Sequence, residues 1–155
     1  MLHKTWETGQ VTRYHANPRL SKTNQTIADH SWGVAMILLL LCPTIPKNLL
    51  VAALVHDCGE RFAGDLPSSF KRQFPGLAEQ HAELEKSLCY ENGVPFILEL
   101  DEISTAWLHF ADRLESFIFM REHGQLWDEE RVDELMTRAR ELGVETATQQ
   151  LIGGQ

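Results

Sequence analysis

Proline and glycine divide this chain into segments of helix length, and that spacing constrains the fold more than any other feature of the sequence. The segments between these residues carry apolar side chains at helical intervals, and no internal repeat or low-complexity tract interrupts them. We therefore predict an all-α fold. The predicted helices cover residues 26–41, 47–59, 68–73, 76–92, 95–123 and 128–142.

Length and composition predict one domain with a packed core. The chain has 155 residues, of which 43% are hydrophobic and 23% charged, values typical of an ordinary globular protein. We expect residues 1–155 to form this single domain. Within it, residues 1–25 are predicted to form an irregular basic arm, and residues 144–155, which end in Gly-Gly-Gln, are predicted to fray.

The distribution of charge favours a small anionic ligand over a nucleic acid or a membrane surface. The net charge is −8, whereas a nucleic-acid or anionic-membrane binder needs clustered positive charge. Residues 1–28 nevertheless carry a balance of +3, which suits a small anion. Chance clustering of solvated charges is the alternative that this pattern leaves open.

The cysteines and the apolar segments predict a cytoplasmic protein. The three cysteines are an odd number without metal-type spacing, so neither a disulfide framework nor a zinc ribbon is indicated. The longest apolar run, Val34 to Cys42, is far shorter than the ~20 residues that a membrane-spanning helix needs.

One set of side chains has the composition of a metal site. His30, the adjacent pair His56 and Asp57, and Asp112 lie on three separate predicted helices. A helical bundle can bring such side chains together at one interior point. Two imidazoles and two carboxylates suit Mn, Fe, Co, Ni or Zn better than Mg. Because neighbouring residues project about 100° apart on a helix, His56 and Asp57 could reach one ion only at a helix end.

Three further polar residues follow this set. Glu60 is placed to orient or deprotonate a water on the ion, Asp65 is a second acid in a predicted loop, and Lys71 offers a positive charge for a phosphate. Taken alone, any one of the candidate residues is more often an ordinary structural polar group than a functional one. The combination is less ordinary, because Asp57 follows an apolar run and a buried carboxylate requires a partner.

These residues resemble a known family. The order His30, His56-Asp57, Asp112 matches the H…HD…D signature of HD-domain phosphohydrolases. The segments around Glu60, Asp65 and Lys71 (HDCGE and GDLP) are similar to HD-type 5′-deoxynucleotidases. The segment TIADHS and the start Arg13-Tyr14-His15 also resemble that group and the compact phage dATP triphosphohydrolases. The chain departs from the group at two positions. Tyr14 stands where the group has Trp, and Asp29, before His30, stands where the group has Glu.

The resemblance implies a metal-dependent hydrolase of 2′-deoxyribonucleotides. By that similarity His30, His56, Asp57 and Asp112 are the metal ligands, and Glu60 and Asp65 are the catalytic acids and bases. Arg13, Tyr14 and Lys71 would bind the substrate, with a deoxyadenosine nucleotide favoured. The implied cofactor is a divalent ion of the Zn, Co, Mn or Ni class, with an additional Mg allowed.

The same resemblance implies a cytoplasmic homo-oligomer, a dimer or a hexamer, in the host cytoplasm if a phage encodes the chain. It leaves open whether the substrate is a monophosphate or a triphosphate. A non-catalytic nucleotide-sensing module and a helical protein with a buried ion-pair network also remain open. Intact Glu60 and Asp65 favour the enzyme, because a sensing module needs no acids beside the metal.

Several apolar residues are interpreted as structural. Trp32, Trp107 and a stripe at helical spacing are predicted to lie in the core; the stripe consists of Ile97, Leu98, Leu100 and Leu108. Cys58 is interpreted as a packing residue. The run from Phe117 to Met120 covers more than half of a helix circumference, so we expect part of it to be exposed and to support an oligomer.

Overall fold

The computed structural model describes residues 2–94 and 99–153, and the regular elements in these ranges are α-helices. The prediction of an all-α fold is therefore confirmed. An isolated antiparallel bridge joins Thr12 and Thr26. The helices are α1 (Leu2–Thr8), α2 (Ile27–Leu41), α3 (Lys47–Val55), α4 (Glu60–Ala63), α5 (Ser68–Gln73), α6 (Pro75–Glu91), α7 (Glu102–Glu122), α8 (Glu129–Glu141) and α9 (Glu145–Gly153). None of the described helices is both long and apolar enough to cross a bilayer.

The chain divides into two compact units, residues 1–31 with 54–99 and residues 32–53 with 100–155. In the first unit, α4 and α5 pack against α6. A small apolar cluster of Cys58, Cys89 and Val94 holds the end of α6 against the turn that precedes α4. This packing matters for function because the turn carries the predicted site residues.

The second unit contains the larger apolar core. Its centre is the inner face of α7, where Phe110 and Leu114 are almost fully buried, together with Leu135 of α8. Capping carboxylates begin both helices: Asp101 accepts a hydrogen bond from the Ser104 backbone N–H, and Asp128 accepts one from that of Arg131. Such caps satisfy backbone donors that the helix leaves unpaired, and so fix where each helix begins.

Two predicted helix boundaries are wrong for local reasons. The helix predicted over residues 47–59 ends at Val55, because residues 56–59 form tight turns in which the Cys58 N–H bonds to the Val55 carbonyl and the Glu60 N–H to that of Asp57. The helix predicted to begin at Pro95 is regular only from Glu102, where the Asp101 cap starts it. The residues numbered 95–98, including the predicted core positions Ile97 and Leu98, lie outside the described residues.

Both predicted irregular ends contain a helix. The arm begins with α1 rather than with an irregular segment. The tail predicted to fray over residues 144–155 contains α9 from Glu145 to Gly153, in which Thr148 is fully buried, and the last two residues lie outside the described residues. The physical reason is apolar packing, because Val144, Ala147 and Ile152 lie against the larger core. Burial of this kind outweighs the weak helix signal of the sequence.

The exposure of the aromatic residues differs partly from prediction. Trp107 is buried as predicted, whereas Trp32 is 65% exposed, because it lies on the outer side of α2. The run from Phe117 to Met120 is also less exposed than predicted. Phe117 is buried, and Ile118 and Met120 pack against the core of the second unit. This run therefore gives no support to an oligomer, which stays a prediction.

Candidate active site

A cluster of His and Asp side chains lies in the first unit, where α2 begins and α3 ends. The Nε2 atoms of His30 and His56 are 3.3 Å apart. The carboxylate of Asp57 lies 3.4 Å from Nε2 of His30 through Oδ2, and 3.3 Å from Nε2 of His56 through Oδ1. The side chains of His30, His56 and Asp57 thus converge from α2 and from the turns after α3. We call these three residues the His/Asp cluster.

His30 is held in this place by a helix cap. The Thr26 N–H donates to Oδ2 of Asp29 at 2.9 Å, and the Asp29 N–H donates to Oγ1 of Thr26 at 3.1 Å, so the two residues form a reciprocal capping box. These hydrogen bonds lower the pKa of Asp29. The cap places His30 in the first turn of α2, where it is fully buried.

His56 and Asp57 meet the same point because they are not part of a regular helix. They follow the last residue of α3 and occupy the turns that lead to α4. In an ideal helix their side chains would project about 100° apart. The turns remove this restriction. The sequence predicts that both side chains can reach one ion only at a helix end, and the turns directly follow the end of α3.

The spacing of the cluster fits a divalent cation. Bonds of about 2.1 Å to nitrogen or oxygen place neighbouring ligands of one ion roughly 3.0–3.4 Å apart, in octahedral or tetrahedral geometry. The 3.3 Å between the Nε2 atoms of His30 and His56 falls at the upper end of this range, and each imidazole has one Asp57 oxygen at a similar distance, Oδ2 for His30 and Oδ1 for His56. Neutral imidazoles and a carboxylate are also the donor types that transition metals and zinc accept.

Two further carboxyl groups lie close to the cluster. Glu60 begins α4 and is buried, and its burial, followed by the charges of Asp57 and Asp65, raises its pKa from 4.5 to about 9. Burial likewise raises the pKa of Asp65, against the opposing charge of Lys71. Without a cation these two acids therefore retain protons more strongly than exposed carboxyl groups do.

Basic residues face these acids. Nη2 of Arg13 is 3.9 Å from Oδ2 of Asp57, and Nζ of Lys71 is 4.0 Å from Oδ1 of Asp65. Both charges lower the pKa of Glu60 and of Asp65, although burial is the larger effect. The structure therefore brings Arg13 and Lys71, predicted from sequence as phosphate contacts, into one charged environment with the two acids.

The arm is fixed beside the cluster by its backbone. The Arg13 N–H donates to the carbonyl of Gln25, and the Ile27 N–H donates to that of Val11, on either side of the Thr12–Thr26 bridge. The guanidinium of Arg13 lies 5.2 Å from the centre of the Tyr14 ring. Tyr14 has a φ of 56°, a strained conformation for a bulky residue.

A His-Glu pair near the cluster was not predicted from the sequence. Nδ1 of His81 is 3.4 Å from Oε1 of Glu85, one helical turn later on α6. Glu85 also touches Gly59 closely: a Cβ at Gly59 would lie 2.8 Å from Cβ of Glu85. Burial raises the pKa of Glu85. The i, i+4 spacing of a His and a Glu was the signal available in the sequence.

Asp112 and Cys58 complete the predicted residues. Asp112 is partly buried and lies on α7 in the second unit. Together with His109 it lines a cavity of about 1000 Å³ between α7 and α8.

Cys58 is buried and accepts a hydrogen bond from Oγ1 of Thr8 at 3.3 Å. Burial raises the pKa of its thiol, as expected of a packing residue rather than a nucleophile.

An all-α chain with a His, then an adjacent His-Asp pair in a common cluster, has the features of the HD-domain superfamily. Comparison with protein families narrows the class. The family model described as 5′-deoxynucleotidase YfbR-like matches residues 10–94, more than half of the chain. The chain therefore belongs to the YfbR-like 5′-deoxynucleotidase family. No curated protein and no solved structure gives a significant match.

Proposed function

We propose that this protein is a metal-dependent 5′-deoxynucleotidase, which hydrolyses a 2′-deoxyribonucleoside monophosphate to a deoxynucleoside and orthophosphate. The family implies a hydrolase of this kind. The observation that carries the proposal is the position of two acids, the buried Glu60 and the partly buried Asp65, beside the His/Asp cluster and opposite two cations. Withdrawing these carboxyl groups from water costs free energy, and a module that only binds nucleotide has no need of that cost.

Four residues are proposed to hold the divalent ion. His30, His56 and Asp57 form the His/Asp cluster, and its spacing fits an ion. We propose Asp112 as the fourth ligand, because it follows the His-Asp pair in the order of the H…HD…D signature. The bound ion would supply a strong positive charge that acidifies water and polarises phosphoryl oxygens.

Glu60 is proposed to accept the proton of the attacking water. Its raised pKa describes the metal-free chain, and a cation beside it would lower that pKa and prepare the carboxylate to act as a base. As the water oxygen bonds to phosphorus, the bond from phosphorus to the 5′ oxygen breaks. Asp65, whose raised pKa favours the protonated form, would give a proton to that leaving oxygen.

Arg13 and Lys71 are proposed to bind the phosphate. Each lies beside one of the acidic residues, and together they would stabilise the negative charge that develops on the phosphoryl oxygens. Tyr14, held next to Arg13, is proposed to pack on the sugar or the base. Deoxyadenosine monophosphate is the substrate we expect to react best.

A dATP triphosphohydrolase is the alternative within the same chemistry, and the products of the reaction separate the two. The purified protein should be incubated with deoxynucleoside mono- and triphosphates and with added Mn or Co. Orthophosphate released from the monophosphate supports the nucleotidase, and inorganic triphosphate released from dATP supports the alternative. Tight nucleotide binding without either product would favour a sensing module. The cytoplasmic location and the homo-oligomer remain predictions.

A further inference from the structure

Besides the cavity between α7 and α8 in the second unit, a cavity of about 890 Å³ lies in the first unit. It shares no residue with the His/Asp cluster. Its walls come from the arm, from the start of α2 and from the segment where α3 ends. Its lining includes Trp6, Gln10, Ile27, Ser31, Leu54 and Cys58. The volume lies within the range of roughly 300–1,000 Å³ that is usual for sites of small ligands.

The described lining of this cavity carries no charged side chain, unlike the His/Asp cluster. None of its described lining residues is Asp, Glu, Lys, Arg or His, and most of the wall is apolar, as Ile27 and Leu54 illustrate. An ionised phosphate would lose its hydration there without gaining a charged partner, which is costly. The lining therefore selects against nucleotides and in favour of uncharged molecules.

One polar group in the wall requires a hydrogen-bond partner. Ser31 is 2% exposed, and its hydroxyl makes no hydrogen bond with the described residues. Leaving a buried hydroxyl unsatisfied costs on the order of 1–3 kcal/mol. A ligand that carries a donor or an acceptor could satisfy it.

An exposed aromatic ring forms part of the lining of the cavity. Trp6 lines it and is 75% exposed, an unusual position for a large apolar ring. Indole rings stack readily on other flat rings. A ligand with an aromatic ring could cover Trp6 while its polar edge meets Ser31 or Gln10.

We propose that this cavity binds an uncharged small molecule with a flat aromatic ring and a hydrogen-bonding edge. Ser31 and Cys58, in its wall, directly follow His30 and Asp57 in the sequence. The proposed site is therefore next to the His/Asp cluster but has its own residues. It is independent of whether the cluster hydrolyses a nucleotide.

Calorimetric titration with deoxyadenosine tests the proposal, since this probe is neutral, flat and rich in hydrogen-bonding edges. The informative variant is Leu54→Glu, which places a charge in the cavity at a residue that is 49% exposed. The matched control is Leu84→Glu, which is also 49% exposed, on α6 and away from the cavity. Ser31→Ala tests the hydroxyl, and circular dichroism checks that each variant folds.

The proposal expects one deoxyadenosine per chain, at least tenfold weaker binding in Leu54→Glu, and no more than a twofold change in Leu84→Glu. Ser31→Ala should weaken binding about fivefold, the effect of one hydrogen bond. Tyr14→Ala should leave the binding unchanged, because Tyr14, the residue proposed to pack on the nucleotide's sugar or base, is not in the cavity. The proposal would be overturned by absent binding or by equal binding in Leu54→Glu. Loss of binding in Tyr14→Ala would also overturn it, because that result would place the nucleoside at the His/Asp cluster.

Discussion

At the scale of single residues, the cluster depends on side chains that are costly to bury and are compensated by neighbours. Asp57 is the centre of this arrangement, since it faces His30, His56 and Arg13 at distances between 3.3 and 3.9 Å. Glu60 and Asp65 are held near it with raised pKa values. Each of these residues therefore has a distinct expected phenotype.

Glu60→Gln should separate catalysis from metal binding. The amide keeps the size of the side chain but cannot transfer a proton, so kcat should fall by about 10²- to 10⁴-fold. The metal content, measured by elemental analysis, should stay at the wild-type level. Loss of the metal in parallel with activity would instead make Glu60 a ligand.

Glu60 also makes the metal-free protein sensitive to pH. Because its pKa is raised from 4.5 to about 9 in the folded chain, its stabilising effect is complete below pH 4.5 and is lost as pH rises towards 9. Urea unfolding of metal-stripped protein should show a lower free energy of unfolding at pH 8.5 than at pH 5.5. In Glu60→Gln this decrease should be smaller; an unchanged slope would contradict the burial of Glu60.

Arg13 and Tyr14 should affect substrates differently. Arg13→Ala removes a charge-assisted contact to phosphate and should reduce kcat/KM by a similar factor for every deoxynucleotide. Tyr14→Ala removes an aromatic surface and should change the ranking among bases. A kinetic panel of adenine, guanine and pyrimidine deoxynucleotides measures both effects. Equal losses for all bases in Tyr14→Ala would remove Tyr14 from base selection.

At the scale of elements, the site depends on close packing between α6 and the turn before α4. Gly59 adopts an ordinary helical φ of −65°, so its importance comes from space rather than from backbone freedom. A Cβ there would lie 2.8 Å from Cβ of Glu85, which is too close for an unperturbed helix. This contact holds the turn containing His56 and Asp57 against α6.

Gly59→Ala should therefore destabilise the protein by about 1–3 kcal/mol, the usual cost of overpacking. Gly76→Ala is the matched control, because Gly76 lies in α6 and a Cβ there would meet no atom within 4 Å. That control should be neutral or stabilising by roughly 0.5–1 kcal/mol. Chemical denaturation measures both, and equal effects would contradict the packing described here.

The elements also show what the sequence could predict. The cap formed by Thr26 and Asp29 is encoded within four residues, so the start of α2 and the place of His30 followed from sequence. The end of α3 and the helix α9 did not, because tight turns and tertiary packing decide them. The contact between Gly59 and Glu85 joins residues far apart in sequence, so local pattern could not reveal it.

At the scale of the whole molecule, the burial of the three cysteine thiols shows how tightly the chain is packed around each of them. Cys58 and Cys89 are buried, and burial raises the pKa of Cys89 to about 11. Cys42 is only partly buried. Thiols react as thiolates, so both accessibility and pKa protect the first two.

A thiol reagent at pH 8 should therefore modify one cysteine rapidly in the folded protein and the other two only after unfolding. Absorbance of the released chromophore gives the count, and protein in guanidinium chloride is the control in which all three react. Mass spectrometry should locate the rapid modification at Cys42. Rapid modification of Cys58 or Cys89 would contradict the packing of the first unit.

The most direct test of the account is whether a divalent ion at the His/Asp cluster drives hydrolysis of a deoxynucleotide. The wild-type protein should be stripped with a chelator, reloaded with Mn or Co, and assayed for orthophosphate release from deoxyadenosine monophosphate, in parallel with Asp57→Ala. We predict that stripping abolishes release, that reloading restores it in the wild type, and that Asp57→Ala neither retains the ion nor recovers activity. Full activity of Asp57→Ala, or a folded wild-type protein that binds no ion and forms no product with either metal, would contradict the account.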